Sequence, residues 1–169
     1  MLKGQDMLVL ASLLGRKGPP PKLAALGEEL GLSVSAVHRS MKSLQAAQLV
    51  DASRAPQLAQ VDEFLTHALR YVFPPRMQGE TRGVPTASSA PALRKKLAGS
   101  DRFPLVWPDP QGRERGIAFE PLHPAVPQVA RRDRELGERL ALFDAFRLND
   151  ARVRGIARRE LQKRLAVTA

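Results

Sequence analysis

Five polar residues recur along one short stretch, GLSVSAVHRSMKSL (Gly31–Leu44): Ser33, Ser35, His38, Arg39 and Lys42. Hydroxyls, an imidazole and two cations donate hydrogen bonds and carry positive charge, so the chemistry open to them is recognition of phosphates and base edges rather than bond-making. Arginine can grip guanine through two parallel N–H donors. At about 100° per residue along a helix, Ser35, His38, Arg39 and Lys42 fall on one side, and Val37, Met41 and Leu44 on the other. A polar row alone is better read as the solvated face of a core helix. The residues around it tip the reading towards duplex DNA.

Other chemistries find little support. His38, His67 and His123 lie far apart without clustered carboxylates, and there is no cysteine, so neither a metal site nor a disulfide framework is expected. Glycine-rich phosphate loops and nucleophile elbows are absent, and the serines of TASSAP have no orienting base nearby. His67, Arg70 and Tyr71 share residue types with DNA-cleaving tyrosine enzymes, but three residues on one helix do not make a site. His67 is expected partly buried and Tyr71 part of a packing surface. No catalytic constellation and no cofactor is expected; the chain does not read as an enzyme.

The polar row needs a rigid support. A first helix is expected over about Gln5 to Leu14, with Met7, Leu10, Leu13 and Leu14 inward, and a second over about Lys22 to Leu30, with Leu23, Leu26 and Leu30 at spacings of three and four. Gly31 supplies a turn that needs left-handed backbone angles. Ser33 stands where an N-cap is wanted. Val37, Met41 and Leu44 then form one apolar stripe.

The segment LGEELGLSVSAVHRSMKSLQAAQLV resembles the DNA-binding part of bacterial winged helix-turn-helix regulators, MarR-like proteins in particular. In that pattern Gly27 takes the small-residue site of the first helix, Gly31 the turn, Val37 the buried site of the second and Leu44 a core contact near its end. The resemblance covers residues 5–73. It implies a recognition helix beginning at Ser33, with Ser33, Ser35, His38, Arg39 and Lys42 at or near the groove. One departure is visible: DASRAPQLAQVDEF is too short and too poor in β-branched residues for a long wing, which leaves a stub from which Arg54 reaches a phosphate. The later PDPQGRER, with Arg113 and Arg115, is a weaker candidate for the same role.

Beyond this segment, Leu49 and Val50 read as a short strand. LAQVDEFLTHALRYVF reads as a packing helix with Val61, Phe64, Leu65, Ala68, Leu69, Val72 and Phe73 on one broad face, stopped by Pro74 and Pro75. Residues 76–102 read as a loop with a short helix at ALRKKLAG. Leu105 to Trp107 and Gly116 to Glu120 read as a β-hairpin, and Trp107 as core or interface. One helix is expected from Val129 to Arg147 and another from Asp150 to Leu165, with Asn149 or Asp150 as cap. Asp144 sits among apolar neighbours, so it either faces solvent or pairs with a cation such as Arg70 or Arg147. The fold class expected is mainly α with a small β component, divided into residues 1–73 (helix-turn-helix and packing helix), 74–128 (proline-rich loop and hairpin) and 129–169 (basic helical region, dimerisation).

Charge supports a polyanionic partner. The 169 residues hold 27 Lys and Arg against 17 Asp and Glu, a net charge of +10, and each phosphate neutralised by a cation releases a condensed counterion. By position the basic and acidic counts are 7 and 5 in residues 1–62, 9 and 6 in 63–128, and 11 and 6 in 129–169, so the surplus grows towards the C-terminus. Arg131, Arg132, Arg134, Arg152, Arg154, Arg158, Arg159 and Arg164 admit three readings: a solubilising face, extra contacts to the DNA backbone, or a site for an acidic protein. No apolar run approaches the roughly 20 residues that span a bilayer, and no leader with a cleavage site is evident, so a cytoplasmic location is expected.

The resulting expectation is a homodimeric, sequence-specific double-stranded DNA-binding transcriptional regulator, a repressor. One short helix reads only a few base pairs, and a two-fold protein doubles the site. The alternatives are an antitoxin-like protein-interaction module and a non-specific nucleic-acid-binding accessory factor. An aromatic content of 5% argues against base stacking on single strands as the latter's mode.

Overall fold

The computed structural model describes residues 1–97 and 103–168, and shows a mainly helical chain with one small three-stranded sheet. Helix α1 (Gly4–Leu14) is buried from Asp6 to Leu14, so it runs through the interior rather than along a surface. Helix α2 (Leu23–Leu30) and helix α3 (Val34–Ala46) follow and pack against it. Helix α4 (Leu58–Glu63) continues through a π-helical turn (Phe64–Ala68) into α5 (Leu69–Val72). Within that turn the Leu69 N–H bonds back five residues to the Phe64 carbonyl. The extra residue rotates the face beyond it, which is why Val61, Leu65 and Leu69 are buried while Val72, expected inward, is 44% exposed. His67 and Tyr71 also turn outward, contrary to the expectation of a partly buried histidine and a packing tyrosine.

The middle of the chain differs most from its sequence reading. Part of the expected loop is strand β1 (Met77–Pro85); its sequence MQGETRGVP lacks apolar alternation because six of its first seven residues have no core to face. Strands β2 (Leu105–Pro108) and β3 (Glu114–Phe119) do not form a hairpin with each other. Each pairs antiparallel with β1, β2 through Val84↔Trp107 and β3 through Thr81↔Gly116, and two strands antiparallel to a common third must run parallel. They do, through Leu105↔Ile117 and Val106↔Ala118, so the three strands close on one another. Leu49 and Val50 make only an isolated bridge, Val50↔Pro56. Helix α6 (Pro91–Arg94) forms only the start of the helix expected at ALRKKLAG: Lys95, Lys96 and Leu97 turn out of it, and Ala98 and Gly99 lie outside the described residues.

The expected single helix from Val129 to Arg147 is two, α7 (Val126–Arg132) and α8 (Arg134–Arg147). Asp133 breaks it by capping α8, its Oδ1 accepting from the Leu136 N–H at 3.0 Å. The corner is tight because Gly137 faces Ala130, where a Cβ would come within 2.8 Å of the alanine methyl. Helix α9 (Ala151–Thr168) starts from Asp150, whose Oδ1 accepts from the Arg152 and Val153 N–H groups. Almost every residue of α8 from Leu136 on is buried. This helix is the hub, packing on α1, α5, α7 and α9 within one apolar cluster that draws on all three expected regions.

Two ionic groups tie the layers. Asp144 of α8 is buried and does not face solvent: Oδ1 accepts from Arg147 Nη1 at 2.7 Å, and Oδ2 from Thr86 Oγ1 at 2.8 Å and Trp107 Nε1 at 2.6 Å. Arg147 in turn donates to the carbonyls of Phe73, Pro74 and Glu120 and lies over the Phe119 ring. Glu160 of α9 gathers Lys96, Lys163 and Arg164. Its bond with Lys96, reinforced by Lys163, holds the carboxyl down from 4.5 to about 2. A carboxylate with a depressed folded-state pKa contributes stability that is present above its unfolded value and is lost as pH falls through the folded one. Glu160→Gln should therefore flatten the fall in stability between pH 4.5 and about 2. Denaturant unfolding at stepped pH checks this, and an acid limb identical to wild type would refute it.

Candidate nucleic-acid interface

Local chemistry sets the pose of α3. Gly31 ends α2 with φ +66°, in the left-handed region, and its N–H bonds to the Gly27 carbonyl. The Leu32 N–H bonds to that carbonyl too, at 2.8 Å, so the chain folds back onto α2 within one turn. Gly27 permits this: a Cβ there would stand 2.6 Å from the Leu32 carbonyl oxygen. Gly27→Ala should cost about 1 to 3 kcal/mol of stability, because the blocking atom is backbone and cannot rotate away. Thermal unfolding checks it; a melting temperature equal to wild type would mean the turn has slack.

Ser33 caps α3 as its position implied, its Oγ accepting from the Ala36 N–H at 3.2 Å and lying 3.2 Å from Ser35 Oγ. Gln5 of α1 pins the helix from behind, donating from Nε2 to the Ala36 carbonyl at 3.1 Å and to Ser40 Oγ at 2.9 Å. Ala36, Val37, Ser40, Met41 and Leu44 are buried. Ser33, Ser35, His38, Arg39 and Lys42 are exposed along the opposite side, and His38, Arg39 and Lys42 form no hydrogen bond or ion pair within the described residues. Nothing among those residues covers the row.

Arg54 lies in a tight turn directly after the bridge residue Val50. Asp51 organises that turn: its Oδ1 accepts from Ser53 Oγ at 2.6 Å and from the Ala55 N–H at 3.0 Å, which lowers its carboxyl pKa. Arg54 itself has φ +71° and donates from Nη1 to the Pro21 carbonyl at 2.9 Å. The turn is thus fastened to the proline connector ahead of α2, beside exposed Lys22. Sequence reading singled out neither Lys17 nor Lys22, both exposed on that connector; the only signal was their place in RKGPPPK. It also passed over Gln45, Gln48, Gln57 and Gln60, which with Asp51 line an open concavity of about 670 Å³ at the C-terminal end of α3.

Many of the cations in the C-terminal surplus are already matched. Of the C-terminal arginines, Arg131 pairs with Asp109, Arg134 with Glu138, Arg158 with Asp62, and Arg164 with Glu138 and Glu160, while Arg154 donates to the Leu148 carbonyl. Arg139 is buried on the Ala11 carbonyl, and burial pulls its pKa down. Near the sheet, Arg115 approaches Glu80 at 3.9 Å. In residues 1–56, by contrast, Arg16 alone among the basic side chains forms an ion pair within the described residues. Paired cations attract a polyanion less than unpaired ones, because the partner carboxylate cancels the field within a Debye length. Unpaired cations are thus most frequent before residue 56, while Arg82, Lys95, Arg113, Arg132, Arg152 and Arg159 also form no ion pair within the described residues.

No family model, curated protein or solved structure matches this chain. No group of three or more His, Cys, Asp or Glu side chains that could hold a metal occurs among the described residues, and no described helix is long and apolar enough to cross a membrane.

Proposed function

We propose that the chain is a sequence-specific double-stranded DNA-binding transcriptional regulator, acting as a repressor, in which α2, the Gly31 turn and α3 form a helix-turn-helix and α3 enters the major groove. The observation that carries this reading is the uncovered row Ser35, His38, Arg39 and Lys42 on a helix held rigidly by its buried side. Ser33 lies at the end of α3 that would meet the groove, and Arg54, with Lys22 beside it, flanks it for the phosphate backbone. A homodimer follows from the reach of one short helix, since two copies double the number of base pairs read. Competition binding tests the proposal: labelled DNA from upstream of the chain's own gene should resist displacement by random duplex by orders of magnitude, roughly 10³ or more. Equal displacement by random sequence would defeat it in favour of a non-specific binder.

A protein-interaction module is the second reading, favoured by a different surface. Tyr71 (72% exposed), Met77 (50%) and Val72 stand outward near the start of β1, with the Arg70 guanidinium 4.4 Å from the Tyr71 ring centre. Exposed Tyr, Met and Arg are the residue types enriched at protein interfaces. Copurification of a stoichiometric protein partner, lost on Tyr71→Glu and kept on Arg39→Ala, would select this reading.

A further inference from the structure

The three strands close on one another so tightly that two inner positions have no room for a side chain. A Cβ on Gly83 would stand 1.9 Å from the Trp107 carbonyl oxygen, and one on Gly116 would stand 2.0 Å from that of Pro104. Successive residues of a strand point to opposite faces, so Arg82 and Arg115, each next to one of these glycines, are turned outward. They are also direct partners in the register of β1 with β3. Side chains of such partners start only about 5 Å apart, and like charges placed there destabilise a sheet. Both arginines are exposed; Arg82 forms no ion pair within the described residues, and Arg115 only approaches Glu80 at 3.9 Å. Arg113, exposed and without an ion pair among the same residues, adds a third cation where the chain enters β3. The fold gains nothing from this crowding. An anion lying across it would relieve the repulsion.

An apolar strip runs beside the cations. Ile117, two residues after Arg115 and therefore on the same face, pairs with Leu105, and both are half-buried. Phe103 is 55% exposed next to Pro104, whose carbonyl accepts from the Ile117 N–H at 2.8 Å. A phosphate backbone would leave this strip uncovered and would meet Glu80 with like charge. A polypeptide can cover it, and arginine and phenylalanine are both enriched where proteins meet. Alternate residues of an extended chain lie about 7 Å apart on one side, so acidic residues at every second position set their carboxylates over successive guanidinium forks. We infer that this face docks an extended acidic segment of a partner protein, its carboxylates on Arg82, Arg113 and Arg115 and an apolar side chain against Phe103. The closed sheet offers no free edge, so recognition runs through side chains and not through an added strand. The sheet packs towards α8 through the 3₁₀ turn Ala87–Ser89, whereas α3 packs on α1, so the inference does not rest on the DNA reading.

The test uses the full chain and a labelled synthetic peptide with glutamate at alternate positions about a central leucine, followed by fluorescence anisotropy. Binding should saturate, weaken as salt rises, and fall about 10-fold when Arg82→Gln and Arg115→Gln are combined, the effect of losing two exposed ion pairs. The same peptide with glutamine in place of glutamate should not bind. Arg39→Ala, on the far side of α1, should bind the acidic peptide as wild type does. Arg82→Gln alone should also raise the melting temperature by roughly 1 to 4 °C, because it relieves the repulsion across the strands. An arginine kept for the stability of the sheet would lower it on removal, and that result overturns the inference. So does the absence of saturable binding, or equal binding by the double variant. Tighter binding of a single-stranded oligothymidylate of equal charge, lost in the same double variant, overturns the acidic segment in favour of a nucleic acid.

Discussion

Asp144→Ala should lower the free energy of unfolding by about 3 to 5 kcal/mol, the range seen when one partner of a buried ion pair is removed. The loss is large because of what remains. Arg147 stays 4% exposed with its charge uncompensated, and the Thr86 hydroxyl and the Trp107 indole lose their acceptor. The three carbonyls that Arg147 also reaches soften the effect without supplying a countercharge. Since small domains are stable by about 5 to 15 kcal/mol, the variant should melt many degrees lower or fail to fold. Replacing both partners, Asp144→Leu with Arg147→Met, should recover much of the loss, because neither desolvated charge then remains. A single variant that melts with wild type would show the pair to be dispensable.

Arg39→Ala should weaken binding to the preferred site by about 1 to 3 kcal/mol, roughly 5- to 150-fold, and relax the choice of base beneath it. Arg39 is solvent-exposed and forms no ion pair within the described residues, so its removal should leave the fold intact and the affinity change should read recognition alone. Lys42→Ala should act differently. It should weaken all duplexes alike and reduce the slope of log affinity against log salt by about one. The pair of titrations separates base reading from phosphate contact. An Arg39→Ala protein that holds its site as tightly as wild type would remove α3 from the groove.

The legible part of this chain was the part governed by local rules. Gly31, Ser33 and the Val37, Met41, Leu44 stripe each act within a few residues, and helix period and capping chemistry place them correctly. Asp144 could be flagged from its apolar neighbours alone; its partner Arg147, three residues on, could be named as one choice of two, while Thr86 and Trp107 are contacts only the tertiary fold supplies. Strand β1 escaped because a strand exposed on most of its length carries no alternation. The parallel pairing of β2 and β3 escaped for the same reason, since the strand that dictates it was missing. Asp133 inside VARRDREL looked like one more charged residue of a helical run, and only its bond to Leu136 reveals a cap. The arginine surplus near the C-terminus left three readings open, because a count of charges does not show that Arg131, Arg158 and Arg164 are already matched.

The burial of α1 on all sides has a bearing on how the molecule can be dissected. Met7, Leu8, Val9 and Leu10 are wholly inaccessible, and the helix is clasped by α3 on one flank and by α8, through Arg139 on the Ala11 carbonyl, on the other. A fragment ending near residue 73 would lay that second flank bare to water. Such a piece would clump or melt rather than serve as an autonomous reader head, so heating the intact chain should give a single cooperative transition.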